Sequence, residues 1–227
     1  MGNFEPDHQP TARPATVPTD RPADRPTTQH ADYTQRLQRL ELASWKRLLD
    51  VQAPYRWNVR RLCPGRVLDV GCGVGRNLAH LGSRAVGVDH NPHSVAVARE
   101  RGCTAFTPDE LTATGHAAPA SYDTMLAAHL LEHLAEPEAT ELLRSYLPLV
   151  RPGGRVVLIT PQERGWRSDA THVRWVGPEE LRRTAAQLGL QVDTQRSFPF
   201  PRPTGRVFRH NEFVQVAHVP RLPASAR

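Results

Sequence analysis

Three glycines, Gly71, Gly73 and Gly75, follow directly on the apolar run Val67-Leu68-Asp69-Val70, and a carboxylate, Asp89, closes the next apolar run twenty residues after Asp69. Glycine where a strand ends lets backbone amides approach a ligand closely and adopt positive φ. An acid at the end of the following strand can accept hydrogen bonds from both hydroxyls of a ribose. These types and spacings read as a nucleotide-like site, with Asp69 either anchoring the turn or reaching an ammonium group through water. The spacing is G-x-G-x-G and not the G-x-G-x-x-G of dinucleotide-binding turns, so a NAD-type oxidoreductase is an alternative that shares the acid but not the glycines. A tight strand-to-helix turn with nothing bound would use the same residues.

A second constellation is His129-Leu130-Leu131-Glu132-His133, which matches H-x-x-E-H. In inverted zinc peptidases two histidines one helical turn apart hold the metal and the glutamate acts as base. Here the first histidine follows straight on a predicted strand, and the pattern leaves the Gly-rich turn without purpose. Zinc hydrolysis therefore stands as a further alternative, and no metal is expected. His172 joins His129 and His133 as a candidate base or acceptor contact, because a pKa of about 6.5 suits proton removal at neutral pH. A hydrogen-bonded imidazole on a loop is the plain reading of each. Trp166, Trp175 and Tyr33 read as pocket wall or core.

The elements that must carry these residues follow from periodicity. Strands are predicted at 67–70, 85–88, 104–106, 122–128 and 155–160, with helices opening at Pro92, Pro137 and Pro178, where a first turn tolerates proline. Two alternating segments, 190–198 and 212–219, close the chain. Strands alternating with helices mean a parallel sheet, and a final strand pair without a helix between means an antiparallel last strand. Ligands of such sheets lie beyond the carboxyl ends of the strands. Leu42, Trp45, Leu48 and Leu49 recur at helical spacing in a run free of Gly and Pro until Pro54, an amphipathic helix ahead of the main fold. Before it, prolines at 6, 10, 14, 18, 22 and 26 sit in polar filler that cannot form a core. The expected organisation is a disordered Pro-rich tail at 1–30, a domain at 31–222 with an N-terminal helical lid at 31–62, and a flexible end at 223–227. A polyproline ligand for a partner domain is the other reading of the tail.

Four blocks then carry a resemblance: VLDVGCGVGRNL at 67–78, VGVDHNP at 86–92, YDTMLAAHLLEHL at 122–134 and LVRPGGRVVLITP at 149–161. In this order and spacing the chain resembles the class I S-adenosylmethionine-dependent methyltransferases, nearest to small-molecule enzymes of the ubiquinone-biosynthesis-like type. The resemblance implies an α/β, Rossmann-like, seven-stranded, mostly parallel sheet with an antiparallel last strand and helices on both faces. It implies S-adenosylmethionine as cofactor. Gly71, Cys72 and Gly73 would contact its methionine portion, with Gly75 completing the turn, and Asp89 the ribose hydroxyls. His90 would pack beside the adenine and Asp109 would hold the adenine amino group, although TPDEL departs from the common G-D form there. His129, at the end of the fourth strand, would border the cofactor. Methyl transfer from a sulfonium is a direct displacement in which placement and exclusion of water supply much of the acceleration.

Absences narrow the acceptor. No Asn/Asp-Pro-Pro-aromatic run follows the fourth strand, which argues against base amines. Lys46 is the single lysine among 29 basic residues, so a lysine-dependent ribose mechanism cannot be assembled. No Asp-Asn pair suggests a metal-dependent catechol enzyme, and no Pro-Cys suggests cytosine chemistry. A small molecule remains, with no nucleic-acid and no membrane partner. The net charge of +6 is mostly arginine, as GC-rich bacterial codon usage produces, yet residues 162–227 carry eleven Arg against six acids. That excess, including Arg164, Arg167 and Arg174, favours an acceptor with an acidic group. Cys63, Cys72 and Cys103 fit neither a disulfide framework nor paired zinc ligands, and no run approaches the roughly 18 apolar residues of a membrane span, so a reducing cytoplasm is expected.

Overall fold

The structure, a computed structural model, describes residues 52–221. The tail at 1–30, Tyr33, the helix expected over Leu42 to Leu49 and the C-terminal end at 223–227 lie outside the described residues. The first described helix, α1, is Ala53–Leu62. Pro54 stands in its first turn, where the missing N–H has no partner to lose.

Thereafter strand and helix alternate: β1 Val67–Val70, α2 Arg76–Leu81, β2 Ala85–Val88, α3 Pro92–Glu100, β3 Ala105–Phe106, α4 Pro108–Ala113 and β4 Tyr122–Ala128. Then come α5 Glu136–Tyr146, β5 Val150–Pro161, the single turn α6 Glu163–Trp166, α7 Pro178–Gln187, β6 Gln191–Phe198 and β7 Glu212–His218. The seven strands form one sheet in the order β3-β2-β1-β4-β5-β7-β6. β1 to β5 pair in parallel, and β7 runs antiparallel between β5 and β6. The resemblance implied this topology.

Side chains alternate across the pleat and so feed two cores. Leu68, Val70, Met125, Ala127, Val156 and Leu158 join one apolar layer with Leu143, Leu181 and Ala185 from α5 and α7. Val67, Leu126, Val157 and Ile159 point the other way, into a layer with Val59, Leu62, Leu78, Val95 and Ala98 from α1, α2 and α3. Burial on both faces explains why these strands read as continuous apolar runs.

β5 is longer than its apolar run suggests. Pro152-Gly153-Gly154, ahead of the predicted strand at 155–160, lies inside the strand, where Val150 pairs with Tyr122 and the register shifts before Arg155 meets Thr124. Gly153 supplies the positive φ of 74° that this irregularity requires. At α3, Asn91 caps the helix by accepting the amides of His93 and Ser94 at 3.0 and 3.4 Å. Asn91→Ala is expected to cost about 1 kcal/mol, lowering the urea midpoint at an unchanged slope; an unmoved midpoint would contradict the cap. Among the described residues no helix is long and apolar enough to cross a membrane.

Candidate active site

The turn after β1 is shaped by positive φ at Gly71, Gly73 and Gly75, of 73°, 52° and 83°. At Gly71 a side chain is excluded twice over, because a Cβ there would also stand 2.7 Å from Leu130 Cδ1. Gly71 and Cys72 donate their amides to Val88 O at 2.8 and 3.2 Å. Gly73 N–H donates to Asp89 Oδ2 at 2.8 Å, and Asn91 N–H to Asp89 Oδ1 at 2.9 Å. One carboxylate thus ties the Gly-rich turn to the end of β2. Cys72 offers only its backbone: its buried sulfur packs toward Gly87, and burial pushes the thiol far above its ordinary pKa.

Asp69 is 1% exposed, and among the described residues neither carboxylate oxygen finds a hydrogen-bond donor. Burial, reinforced by the Asp89 charge and opposed by Arg76, pushes its carboxyl up to about 8. A buried acid without a donor is costly unless a ligand compensates it. His90 lies exposed beside Asp89, with Nδ1 3.6 Å from Oδ1. Asp109 is exposed in the first turn of α4. That turn is fixed by a capping box in which Thr107 Oγ1 accepts Glu110 N–H and the Glu110 carboxylate accepts Thr107 N–H. Asp89 N–H donates to Phe106 O at 3.1 Å, which sets the α4 turn beside β2. Asp69, Gly71, Cys72, Gly73, Gly75, Asp89, His90 and Asp109 therefore gather at the carboxyl ends of β1, β2 and β3.

The histidines gather at the ends of β4 and β5. His129 leaves β4 with φ of 57°, the left-handed region that a non-glycine residue seldom enters. Its Nε2 stands 2.9 Å from Glu212 Oε1 and its Nδ1 3.4 Å from Glu132 Oε1. Burial works against a charge on this ring, but the ion pair with Glu132 and the hydrogen bond and charge of Glu212 outweigh it and lift the pKa to about 9. Glu132 is completely buried, a cost to its charge that His129 offsets, leaving its carboxyl below the usual range.

His172 Nδ1 donates to Trp166 O at 2.7 Å, and its Nε2 lies 3.9 Å from Glu132 Oε1. Thr171 Oγ1 donates to Asp169 Oδ1 at 2.8 Å, so the His133 Nδ1 atom 3.1 Å away is the donor to Thr171. Burial lowers the His133 pKa and favours its neutral ring. Glu132, His133 and His172 place one potential metal-donor atom each within 4.8 Å of one another. Glu132, however, already has His129 as counter-ion. H-x-x-E-H is not carried on a helix: after the left-handed His129, residues 131–133 form a single 3-10 turn. The two histidines of the motif consequently engage different partners, Glu212 and Thr171.

Glu212, Gln162 and Tyr55 were not singled out from the sequence. The Gln162 side chain is wholly buried; it donates to Ser197 Oγ and Glu212 O and accepts from Asn211 Nδ2 at 3.0 Å. The Tyr55 hydroxyl donates to His210 O at 2.8 Å, and its ring meets Phe198 edge-on at 5.6 Å. All three act through partners far away in sequence, and no local spacing marks them. Trp166 and Trp175 form an edge-to-face pair at 6.0 Å, with Trp175 against the buried Phe213, as core aromatics do.

Residues 33–195 match the family model described as Methyltransferase domain. The chain belongs to that family. Over 104 residues this methyltransferase domain is 36% identical to the ubiquinone biosynthesis O-methyltransferase of Aeromonas salmonicida, a match covering 42% of either chain. Over 107 residues it is 35% identical to the enzyme of that description from Xanthomonas euvesicatoria, covering 44% of either. The matched stretch thus spans under half the length of these relatives. Among solved structures, the magnesium protoporphyrin IX methyltransferase of Synechocystis with bound SAH superposes with a TM-score of 0.60 at 15% identity, covering 85% of this chain and 96% of that one. A SAM dependent methyltransferase from Archaeoglobus fulgidus gives 0.56 at 20% identity, covering 72% and 92%. These two likenesses are likenesses of fold.

Proposed function

We propose that this methyltransferase domain binds S-adenosylmethionine and transfers its methyl group to a small-molecule acceptor. The observation that carries the reading is the buried, donor-less Asp69 beneath a side-chain-free turn whose Gly73 amide is held by Asp89. An ammonium group completes Asp69. Gly71, Cys72 and Gly73 give backbone room for an amino-acid moiety, and Gly75 opens α2. Each Asp89 oxygen holds one amide and keeps a second lone pair for a ribose hydroxyl. His90 and Asp109 flank the position of a base.

The bound sulfonium supplies an electrophilic methyl group whose positive charge disappears on transfer. The chain's own contribution is to hold the two partners in line and to exclude water. Of the histidines proposed for the acceptor side, His129 reaches solvent with 30% of its side chain, whereas His172 keeps 8%. Contact with the acceptor falls to His129, and His172 and His133 shape its surroundings. The acceptor is proposed to carry an acidic group, in keeping with the basic C-terminal third. The NAD and zinc readings are not favoured by either half of the site.

Calorimetric titration with S-adenosylmethionine, S-adenosylhomocysteine, NADH and zinc tests this reading. Micromolar binding of both sulfur nucleosides, with no response to NADH, is the expected result. No binding of either, together with one equivalent of zinc, would overturn it.

A further inference from the structure

His129 is gripped from two unequal sides. On the inner side stands Glu132, wholly buried and hemmed in by His172 Nε2 at 3.9 Å. On the outer side stands Glu212, the first residue of β7, with its side chain 12% exposed. The backbone carbonyl of Glu212 is fixed by the Gln162 amide, while its carboxylate hydrogen-bonds to His129 at 2.9 Å. The inner carboxylate therefore cannot leave, whereas the outer one can rotate away without disturbing the strand. The ring itself is held in a left-handed backbone at the end of β4, where such conformations persist only when the surroundings impose them and where function often resides.

We propose that His129, paired on its inner side with the buried Glu132, is the receptor for an anionic oxygen of the acceptor, a carboxylate or a phenolate, and that Glu212 fills this receptor until the acceptor displaces it. The inference rests on the methyl-transfer reading only in calling the incoming anion the acceptor. Beside Glu132 stand His133, whose burial favours the neutral ring, and His172, with Nδ1 committed to Trp166 O; the Tyr55 hydroxyl is committed to His210 O. An incoming carboxylate would reproduce the charge-assisted bond that Glu212 now makes, whereas a neutral analogue would put a weaker, uncharged hydrogen bond in its place, and this difference selects against it.

The test uses benzoate as an anionic probe and benzamide as its neutral counterpart, titrated into the full chain with and without S-adenosylhomocysteine. Binding is read by calorimetry and by the His129 ring resonances. Glu212→Gln is expected to bind benzoate at least about tenfold more tightly than the unmodified protein, because no internal carboxylate has to be displaced. The double variant His129→Gln, Glu212→Gln should lose that gain, and benzamide should bind to neither. Glu212→Asp keeps the charge but not the reach, should show a smaller gain, and serves if the glutamine variant does not fold. Equal benzoate affinity in folded Glu212→Gln and unmodified protein would overturn the proposal, as would benzoate binding that survives loss of His129. So would a stoichiometric divalent ion, found by elemental analysis, whose removal shifts the His129 resonances, because Glu132 would then be a ligand and not the counter-ion. Failure of S-adenosylhomocysteine to bind would strike the methyl-transfer reading and leave the anion receptor standing.

Discussion

Replacing Asp89 by alanine is expected to weaken S-adenosylmethionine binding roughly ten- to hundredfold. A hydrogen bond to a charged partner is worth about 1.5–3 kcal/mol, and each 1.4 kcal/mol is about a factor of ten in affinity. The geometry adds a second loss. The carboxylate that would receive the ribose hydroxyls already accepts the amides of Gly73 and Asn91, so its removal also frees the glycine turn from the end of β2. Asp89→Asn keeps one acceptor oxygen and should fall between the two, with one of the two amides released. Calorimetry on variants whose melting has been checked separates loss of the ligand contact from loss of the fold. Unchanged affinity in Asp89→Ala would remove the ribose assignment altogether.

Binding should also release a proton, and Asp69 is its source. With the carboxyl raised from 3.8 to about 8, the folded chain holds a proton there through the neutral range, and the unfolded chain does not. The folded state binds more protons between these values, so the contribution of Asp69 to stability is largest at low pH and declines as pH rises toward 8. An ammonium group placed beside Asp69 favours the ionised form and reverses the penalty. Between pH 6 and about 7.5, where a free α-amino group is still largely protonated, affinity for S-adenosylmethionine should rise by up to about tenfold per pH unit. Titrations in two buffers of different ionisation heat should report close to one proton released, and Asp69→Asn should abolish both the release and the slope. Identical heats in the two buffers would show that Asp69 does not meet the ligand's charge.

The half of the site proposed for the cofactor is grouped by local geometry, which is why its residues could be picked out in the sequence. β1 and β2 are parallel neighbours in register, Asp69 against Gly87, so a glycine turn and an acid 16 residues beyond Gly73 meet at one end of the sheet. The acceptor half was legible only in part. His129, His133 and His172 stood out by type, but what decides their chemistry, the contact between His129 and Glu212, joins residues 83 apart and depends on β7 returning antiparallel beside β5. Glutamate opening a strand carries no signal of that. The start of β5 was misplaced from sequence because Pro152 looks like punctuation, and only packing shows that it lies in an irregular stretch of strand.

Gln162 gives the rim of the site an unusual division of labour. Its side chain fixes Asn211, Ser197 and the Glu212 carbonyl, the two roots of the connection between β6 and β7, while Phe200 and Val207 within that connection remain 47% and 77% exposed. Parts of the connection are themselves anchors, since Gly205 packs on Gln162 and Arg202 pairs with Glu163. The exposed side chains of Phe200 and Val207 are not among them, and can be rewritten, by descent or by grafting, without moving the strand that presents Glu212 to His129. New acceptors can be recruited at that edge while the methyl donor's half of the protein is left untouched.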